Sequence, residues 1–454
     1  MSGSDLSRGS EAGVTGGTTL DDYTAVYAQR VAGMTASEIR ALFAVANRPE
    51  VVSLAGGAPY TAALPLDAVG EMLRDLMAKS GAQALQYGIG QGLPELREQI
   101  CEVMADSGID AAMGASPDDV VVTIGGQQAL DLVARLFLDP GDVVLAEGPT
   151  YVGALGAFQA AQARVVHVPM DDDGLIPAAL ETAIAEVAAQ GRKAKFLYTI
   201  PTYQNPAGVT LTEERREQVL DICERAGLLV IEDDPYGRLS FGGQAPKPLR
   251  ARRREGVFYL STFSKTIAAG LRVGWILAPH AVRDKLVIAT EAQILCPPHF
   301  SQYAVSTYLA TMPWREQIKT FAQLYSERRD ALLESLADLM PAGMTWTRPE
   351  GGLFVWATLP EGLDAKAMVP RAIAARVAYV PGTGFYADGT GQQHLRLNFS
   401  FPPPERIREG VRRLAGVVEQ EMAMRAVFGP AGGLGSAPAR PGSVWPGADN
   451  PGLA

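Results

Sequence analysis

An α/β architecture, a mostly parallel seven-stranded sheet between helices followed by a smaller α+β domain, is the fold this sequence predicts. Three observations carry that expectation. Seven short apolar runs recur between residues 120 and 278, continuous rather than alternating, as strands buried on both faces are. Longer helical patterns separate them, as crossover connections between parallel strands require. From about residue 320 the rhythm changes to one long helical stretch, a Gly-rich turn and well-spaced strands.

The seven strands are expected at Val120–Thr123, Val143–Ala146, Arg164–Val168, Phe196–Thr199, Leu228–Glu232, Val257–Ser261 and Val273–Ala278. Helices are expected at Gln127–Leu138, Glu213–Arg225 and Arg283–Leu295. The second of these opens after Thr212, a suitable N-cap, has Glu213 and Glu214 in its first turn, and closes at Gly227. In the smaller unit, helix Lys319–Met340 leads through Trp346-Thr347 and the turn Gly351-Gly352 to strand Leu353–Ala357. Helix Ala365–Ala375 and strand Gln393–Ser400 follow. The expected division is a tail over 1–18, an N-terminal arm over 19–56 that joins the small domain, a large domain over 57–320, a small domain over 321–428 and a tail over 429–454. The two tails, rich in Gly, Ser, Thr, Pro and Ala, cannot bury enough surface to order themselves.

With 454 residues, 47% of them apolar and 20% charged, the chain can build two domains around a large core. A net charge of −10 excludes the basic footprint of a nucleic-acid binder. The one dense basic run, Arg252-Arg253-Arg254, is expected in a solvated loop. Cys101, Cys223 and Cys296 have neither metal-ligand spacing nor the makings of a disulfide framework, so no metal and a reduced, cytoplasmic protein are expected. Cys101 and Cys223 fall in helical patterns and read as small core residues. No run reaches the apolar length of a membrane span, and the first residues lack a signal-peptide core.

The chemistry centres on Lys265, in Ser261-Thr262-Phe263-Ser264-Lys265-Thr266. The apolar run Val257–Leu260 feeds directly into it, so this lysine stands at the mouth of a buried strand. A lysine so placed is either a surface cap or an amine nucleophile with a weakened hold on its proton. The commonest use of the second is a Schiff base with pyridoxal phosphate. That cofactor needs a helix N-terminus for its phosphate, which the strand-to-helix turn Val122-Thr123-Ile124-Gly125-Gly126-Gln127-Gln128 can offer. It also needs a buried carboxylate to keep its ring nitrogen protonated. Leu229-Val230-Ile231-Glu232-Asp233-Asp234-Pro235-Tyr236 brings acids and a tyrosine to a strand's carboxyl end, where open α/β sheets bind ligands; a solvated acidic turn is the other reading. Asn205, in Tyr203-Gln204-Asn205-Pro206-Ala207-Gly208, and Tyr236 can donate to a phenolic oxygen.

Taken in order, the Gly126 turn, Asn205, Asp233 with Tyr236, Lys265, Arg272 and Arg396 resemble the fold-type-I, pyridoxal-phosphate-dependent aminotransferases of class I/II over roughly residues 20–425. The resemblance implies that Lys265 carries the cofactor and shuttles a proton at the substrate α-carbon. It implies that Asp233 pairs with the ring nitrogen, that Asn205 and Tyr236 bond the phenolate oxygen, and that Tyr151 stacks on the ring. Backbone at Gly126 and Gln127, the hydroxyls of Thr262 and Ser264, and Arg272 would hold the phosphate. Arg396, in His394-Leu395-Arg396-Leu397-Asn398-Phe399-Ser400, would clamp the α-carboxylate, supported by the backbone of Gly57. Tyr87, in Leu85-Gln86-Tyr87-Gly88-Ile89-Gly90-Gln91-Gly92, would reach the phosphate of a partner subunit, which implies a homodimer with shared sites. Gly125 stands where a serine is common, Thr262 replaces a usual serine, and Ala207 and Trp275 are unusual choices. His299 has no assigned role and is expected in a loop.

The segment Met34-Thr35-Ala36-Ser37-Glu38-Ile39-Arg40, with Ser53-Leu54-Ala55-Gly56-Gly57, is similar to the 2-aminoadipate and kynurenine aminotransferase subgroup. There an arginine at the Arg40 position binds an acidic side chain and swings away for an apolar one. The implied reaction moves an amino group between an L-amino acid (glutamate, 2-aminoadipate, or apolar or aromatic) and a 2-oxo acid, in ping-pong fashion. The competing expectations are another reaction of the same cofactor, such as a β-lyase, racemase or decarboxylase, and a cofactor-sensing regulator. About twenty residues precede the resemblance, too few for a helix-turn-helix module.

Overall fold

The structure, a computed structural model, describes residues 26–33 and 48–429. The expected tail over 1–18, all of the tail over 429–454 but Gly429, and the segment holding Arg40 lie outside the described residues. Strand β1 (Val52–Ser53) precedes helices α1 (Leu66–Ala84) and α2 (Pro94–Ala105). The alternation then sets in with β2 (Val120–Thr123), α3 (Gly125–Phe137), β3 (Val143–Gly148), α4 (Val152–Ala160), β4 (Arg164–Asp171), β5 (Gly174–Leu175) and α5 (Pro177–Ala189). It continues through β6 (Ala194–Thr199), α6 (Glu213–Ala226), β7 (Leu229–Asp233), β8 (Val257–Thr262) and β9 (Gly274–Leu277). Helices α7 (His280–Ile294), α8 (His299–Thr311) and α9 (Trp314–Leu339) lead to β10 (Thr345–Trp346) and β11 (Phe354–Thr358). Helix α10 (Val369–Ala374), β12 (Val377–Ala378), β13 (Val380–Pro381), β14 (His394–Asn398) and α11 (Pro404–Phe428) complete the described chain.

The large sheet has the order β2-β9-β8-β7-β6-β3-β4-β5. Strands β8, β7, β6, β3 and β4 run parallel, while β9 is antiparallel to both β8 and β2. The eighth strand, beyond the seven expected, is β5, two residues antiparallel to β4 and too short to register as an apolar run. Both sheet faces are buried because alternate residues point to opposite sides. Val144, Ala146, Tyr198 and Ile231 belong to one apolar cluster, and Val143, Leu145, Leu197 and Val230 to another.

A second, antiparallel sheet has the order β10-β11-β14-β13. Strand β1 pairs with β12, which ties the N-terminal segment to this later unit. Helix α11 was not anticipated, although Ile407, Val411, Leu414 and Val418 recur at helical spacing and are all fully buried.

Several local expectations change for identifiable reasons. The helix expected over 365–375 shortens to α10, because Asp364 turns the chain by accepting from the N–H groups of Lys366 and Ala367. Helix α9 starts earlier than expected, at Trp314, directly after Pro313. Thr212 has the extended backbone of an N-cap but makes no side-chain cap bond, whereas Gly227 closes α6 in the left-handed region at φ 58°. Arg252-Arg253-Arg254 lies in the loop before β8, as expected, with Arg254 exposed, but Arg252 and Arg253 are half-buried. They pair with Glu213, Glu217, Asp221 and Glu224, an acidic row along α6. His299 is the first residue of α8 rather than a loop residue, with Nδ1 3.2 Å from the Gln86 carbonyl. All three cysteines are free, with Cys223 buried in α6 and Cys101 half-buried in α2. No described helix is long and apolar enough to cross a membrane.

Candidate active site

A cavity of about 490 Å³ opens at the carboxyl ends of the parallel strands, where ligands of such sheets bind. Its wall brings together Gly57, Gly126, Gln127, Tyr151, Asn205, Asp233, Tyr236, Thr262, Ser264, Lys265, Arg272 and Arg396. Tyr87 does not line it; that side chain is 75% exposed on the surface of its own chain.

Lys265 sits just past β8 in a π-helical turn, Ser264–Ala268, which aims its side chain into the cavity instead of leaving it at a plain strand end. Its Nζ donates to the Gly57 carbonyl at 2.8 Å. Burial, with the positive charges of Arg396 and Arg272 nearby, lowers its pKa to about 8, against a weaker upward pull from Asp233. A neutral fraction of about one-tenth at pH 7, against well under one-thousandth for an ordinary lysine, makes it a usable amine. The contact at Gly57 thus runs through the carbonyl oxygen and reaches the lysine.

Asp233 ends β7 and is 5% exposed. Tyr198 on β6 donates to its Oδ2 at 2.8 Å. Burial pushes the carboxyl up to about 7, opposed by the Tyr198 bond and reinforced by the charges of Asp234 and Glu147. A buried carboxylate in this condition favours a cationic ligand group, which would restore its charged form. Asp234 faces the other way and is satisfied by the Tyr259 hydroxyl at 2.9 Å and the Gly237 N–H at 2.8 Å. Glu232 accepts from the N–H groups of Leu249 and Arg250. Of the three adjacent acids, only Asp233 lines the cavity.

Arg396 lies on β14 of the second sheet, with its guanidinium 4.2 Å from the Phe354 ring centroid. Its Nη1 donates to Asn205 Oδ1 at 3.0 Å, and its Nη2 to the carbonyls of Ala55 at 2.9 Å and Gly56 at 3.2 Å. Its Nε is buried without a partner. Asn205 spends its oxygen on Arg396 and turns its amide toward the Tyr236 hydroxyl, 3.4 Å away. A cation held by aromatic rings and carbonyl dipoles in a dry site is a strong, oriented receptor for a carboxylate.

The opposite end of the cavity is suited to an anion. Helix α3 begins at Gly125, so its first N–H groups face the same cavity as Arg272, Thr262 and Ser264. Thr262 Oγ1 donates to the Val273 carbonyl at 2.9 Å and lies 2.9 Å from Ser264 Oγ, which accepts from Arg272 Nη1 at 3.3 Å. Gly125 has φ 69°, and a Cβ there would lie 2.5 Å from Arg272 Nη2; a Cβ at Gly126 would meet nothing within 4 Å. Glycine is therefore required at 125, and the position open to a side chain is 126. The Gln127 side chain bonds the Gly153 carbonyl at 2.8 Å and approaches the Tyr151 hydroxyl at 3.4 Å.

Sequence reasoning missed Tyr198, Glu147 and Phe354. Tyr198 reads as one more apolar strand residue, and its period-two alignment with Asp233 emerges only when β6 and β7 are paired. Phe354 follows the Gly351-Gly352 turn, which was visible, but its place under Arg396 was not.

The family model for class I and II aminotransferases matches residues 49–414. The chain is 44% identical to aromatic-amino-acid aminotransferase 1 of Thermococcus litoralis over 403 residues, 88% of this chain and 96% of that protein. It is 36% identical to the 2-aminoadipate transaminase of Thermus thermophilus over 393 residues, 86% of this chain and 95% of that one. Among solved structures, the kynurenine aminotransferase of Pyrococcus horikoshii, crystallised with PMP, superposes with a TM-score of 0.84 at 40% identity, covering 89% of this chain and all (100%) of the other. With a cavity that sets a low-pKa lysine, a buried aspartate and a caged arginine at the mouth of a mostly parallel sheet, the chain belongs to the class I and II aminotransferases.

Proposed function

We propose that the protein uses pyridoxal 5′-phosphate, bound in the cavity at Lys265, to move an amino group between an L-amino acid and a 2-oxo acid. The observation that carries this is the convergence of Lys265, Asp233 and Arg396 on one cavity. The residues fit the cofactor. A Cβ at Gly125 would strike the Arg272 guanidinium, which lines the cavity with Gly126 and Gln127 at the α3 N-terminus, and donors so grouped suit a phosphate. Asp233, held near neutrality by burial, suits a protonated ring nitrogen. When bound, the cofactor supplies an aldehyde that condenses with amines and a cationic ring that draws electrons from the reacting carbon.

The protein's own groups do the rest. Arg272, Ser264, Thr262 and the backbone of Gly126 and Gln127 would hold the phosphate, and Tyr151 would lie against the ring. Asp233 keeps a proton on the ring nitrogen, with Tyr198 fixing its orientation. Asn205 and Tyr236 direct hydrogen-bond donors at the phenolic oxygen. Arg396 orients the substrate by its α-carboxylate, exchanging its bonds to the Ala55 and Gly56 carbonyls for the carboxylate oxygens. That orientation presents the α-hydrogen to Lys265, whose neutral amine removes it and returns a proton on the other side of the transfer.

The apolar wall of Ala58, Leu130, Val152 and Phe354 supports apolar and aromatic side chains as substrates, as the names of the similar proteins do. Glutamate or 2-aminoadipate would be the acidic partner, received by Arg40. A homodimer is supported by the exposed Leu85, Tyr87, Ile89 and Leu295, with Tyr87 contributing to the partner's phosphate site. The free cysteines fit a reducing compartment, the cytoplasm. The test is incubation of the protein and pyridoxal phosphate with glutamate and a panel of 2-oxo acids. Stoichiometric 2-oxoglutarate and new amino acid support transamination. Release of ammonia, carbon dioxide or racemised glutamate in their place would assign another reaction to the scaffold.

A further inference from the structure

Beneath the cavity, on the sheet face opposite Asp233, lies an acid that no step above uses. Glu147 is 1% exposed at the end of β3. Burying a carboxylate without a bonded cation is costly unless its oxygens accept hydrogen bonds, and both of these do. Thr199 Oγ1 donates to Oε1; the Ile200 N–H and the Gln204 side-chain amide donate to Oε2, each at 3.1 Å. Every partner is a donor, which favours the ionised form against the burial that pushes its pKa up.

Gln204 extends the link. Its Nε2 also donates to the Pro149 carbonyl at 2.8 Å, while its Oε1 accepts the Ala207 N–H at 2.7 Å. One carboxylate and one amide therefore join two irregular turns from neighbouring strands. The first carries Tyr151, two residues after Pro149; the second carries Asn205, next to Gln204 in sequence. Backbone bonds hold each turn separately, Thr150 N–H to the Phe385 carbonyl at 2.9 Å in the first and Gln204 N–H to the Val209 carbonyl at 2.9 Å in the second; the Glu147 and Gln204 side chains tie one turn to the other.

We propose that Glu147 is a positioning residue that, through Gln204, locks the Tyr151 and Asn205 turns in the relative placement the cofactor site needs. The inference rests on the proposed function and adds to it a residue outside the cavity wall.

The test measures the dissociation constant of pyridoxal phosphate from cofactor-stripped protein by fluorescence titration, beside the thermal midpoint. Glu147→Ala is expected to weaken binding by about tenfold or more, as loss of a buried charge-assisted bond does. Glu147→Gln, whose amide can still face Thr199 while its carbonyl takes the other donors, should stay within about threefold of the parent. Because the effect passes through Gln204, Glu147→Ala/Gln204→Leu should bind no more than about threefold weaker than Gln204→Leu alone. If Glu147→Ala is not recovered folded, Gln204→Leu, which removes the bonds to Glu147, to the Pro149 carbonyl and from the Ala207 N–H together, carries the same expectation of weakened binding. Binding within threefold of the parent, whether or not the thermal midpoint drops, overturns the proposal, and so do losses that multiply in the double variant. A parent protein that binds no pyridoxal phosphate would defeat the proposed function instead.

Discussion

Tyr198 and Asp233 are joined by a 2.8 Å hydrogen bond from the tyrosine hydroxyl to Oδ2, across the neighbouring strands β6 and β7. Tyr198 is in register with Ile231, two residues before Asp233. The period-two alternation therefore puts tyrosine and aspartate on one face of the sheet. The bond favours the charged carboxylate in a place where burial pushes Asp233 up to about 7.

Removing that bond with Tyr198→Phe should leave Asp233 harder to ionise. Its carboxylate form becomes scarcer as pH falls through 7, so the loss in kcat/KM should grow toward acid. The expected loss is about tenfold near neutral pH, the scale of one charge-assisted bond, and smaller at pH 9. A pH–rate profile measures it, and a loss independent of pH would remove Asp233 as the mediator.

Lys265 should titrate near 8 in the cofactor-stripped protein, against a usual lysine value of 10.5. Labelling by an amine-directed reagent, followed residue by residue in peptide maps, should fall about tenfold per pH unit below that midpoint. Arg396→Met should move the midpoint upward, because the guanidinium disfavours a second positive charge. A midpoint near 10 in the parent would mean that the amine is solvated.

Serine should be unwelcome at 125 and tolerated at 126. At φ 69°, with Arg272 Nη2 only 2.5 Å from the Cβ position, Gly125→Ser should destabilise by about 1–2 kcal/mol. It should also weaken pyridoxal phosphate binding. Gly126→Ser should change stability by less than about 0.5 kcal/mol. Thermal midpoints of the two variants decide the matter, and equal midpoints contradict the assignment.

Arg396→Lys keeps the charge and loses the fork. If Arg396 clamps the α-carboxylate, KM for the amino donor should rise roughly 10- to 100-fold, the value of the charged bonds lost. Initial rates across donor concentrations check this. An unchanged KM would place the carboxylate elsewhere.

Much of this site was legible because its residues break a pattern. Apolar strands run without interruption into Asp233 and toward Lys265, and polar groups at such ends stand out. Arg396 and Asn205 became legible through the order of motifs. Tyr198 stayed hidden because a tyrosine inside an apolar strand has meaning only through its neighbours in space, and Glu147 because it lies outside the cavity wall and acts only through Gln204. The requirement for glycine at 125 depends on a backbone angle and on Arg272, 147 positions later in numbering but adjacent in the fold. Strand β5 is too short for any period to show.

The central claim is that Lys265 holds pyridoxal phosphate covalently. Borohydride reduction of the cofactor-supplied protein, followed by proteolysis and mass spectrometry, tests it most directly. The account predicts a pyridoxyl group on the peptide carrying Lys265 and a protein that can no longer transaminate. An unmodified Lys265, with full activity after reduction, would contradict it.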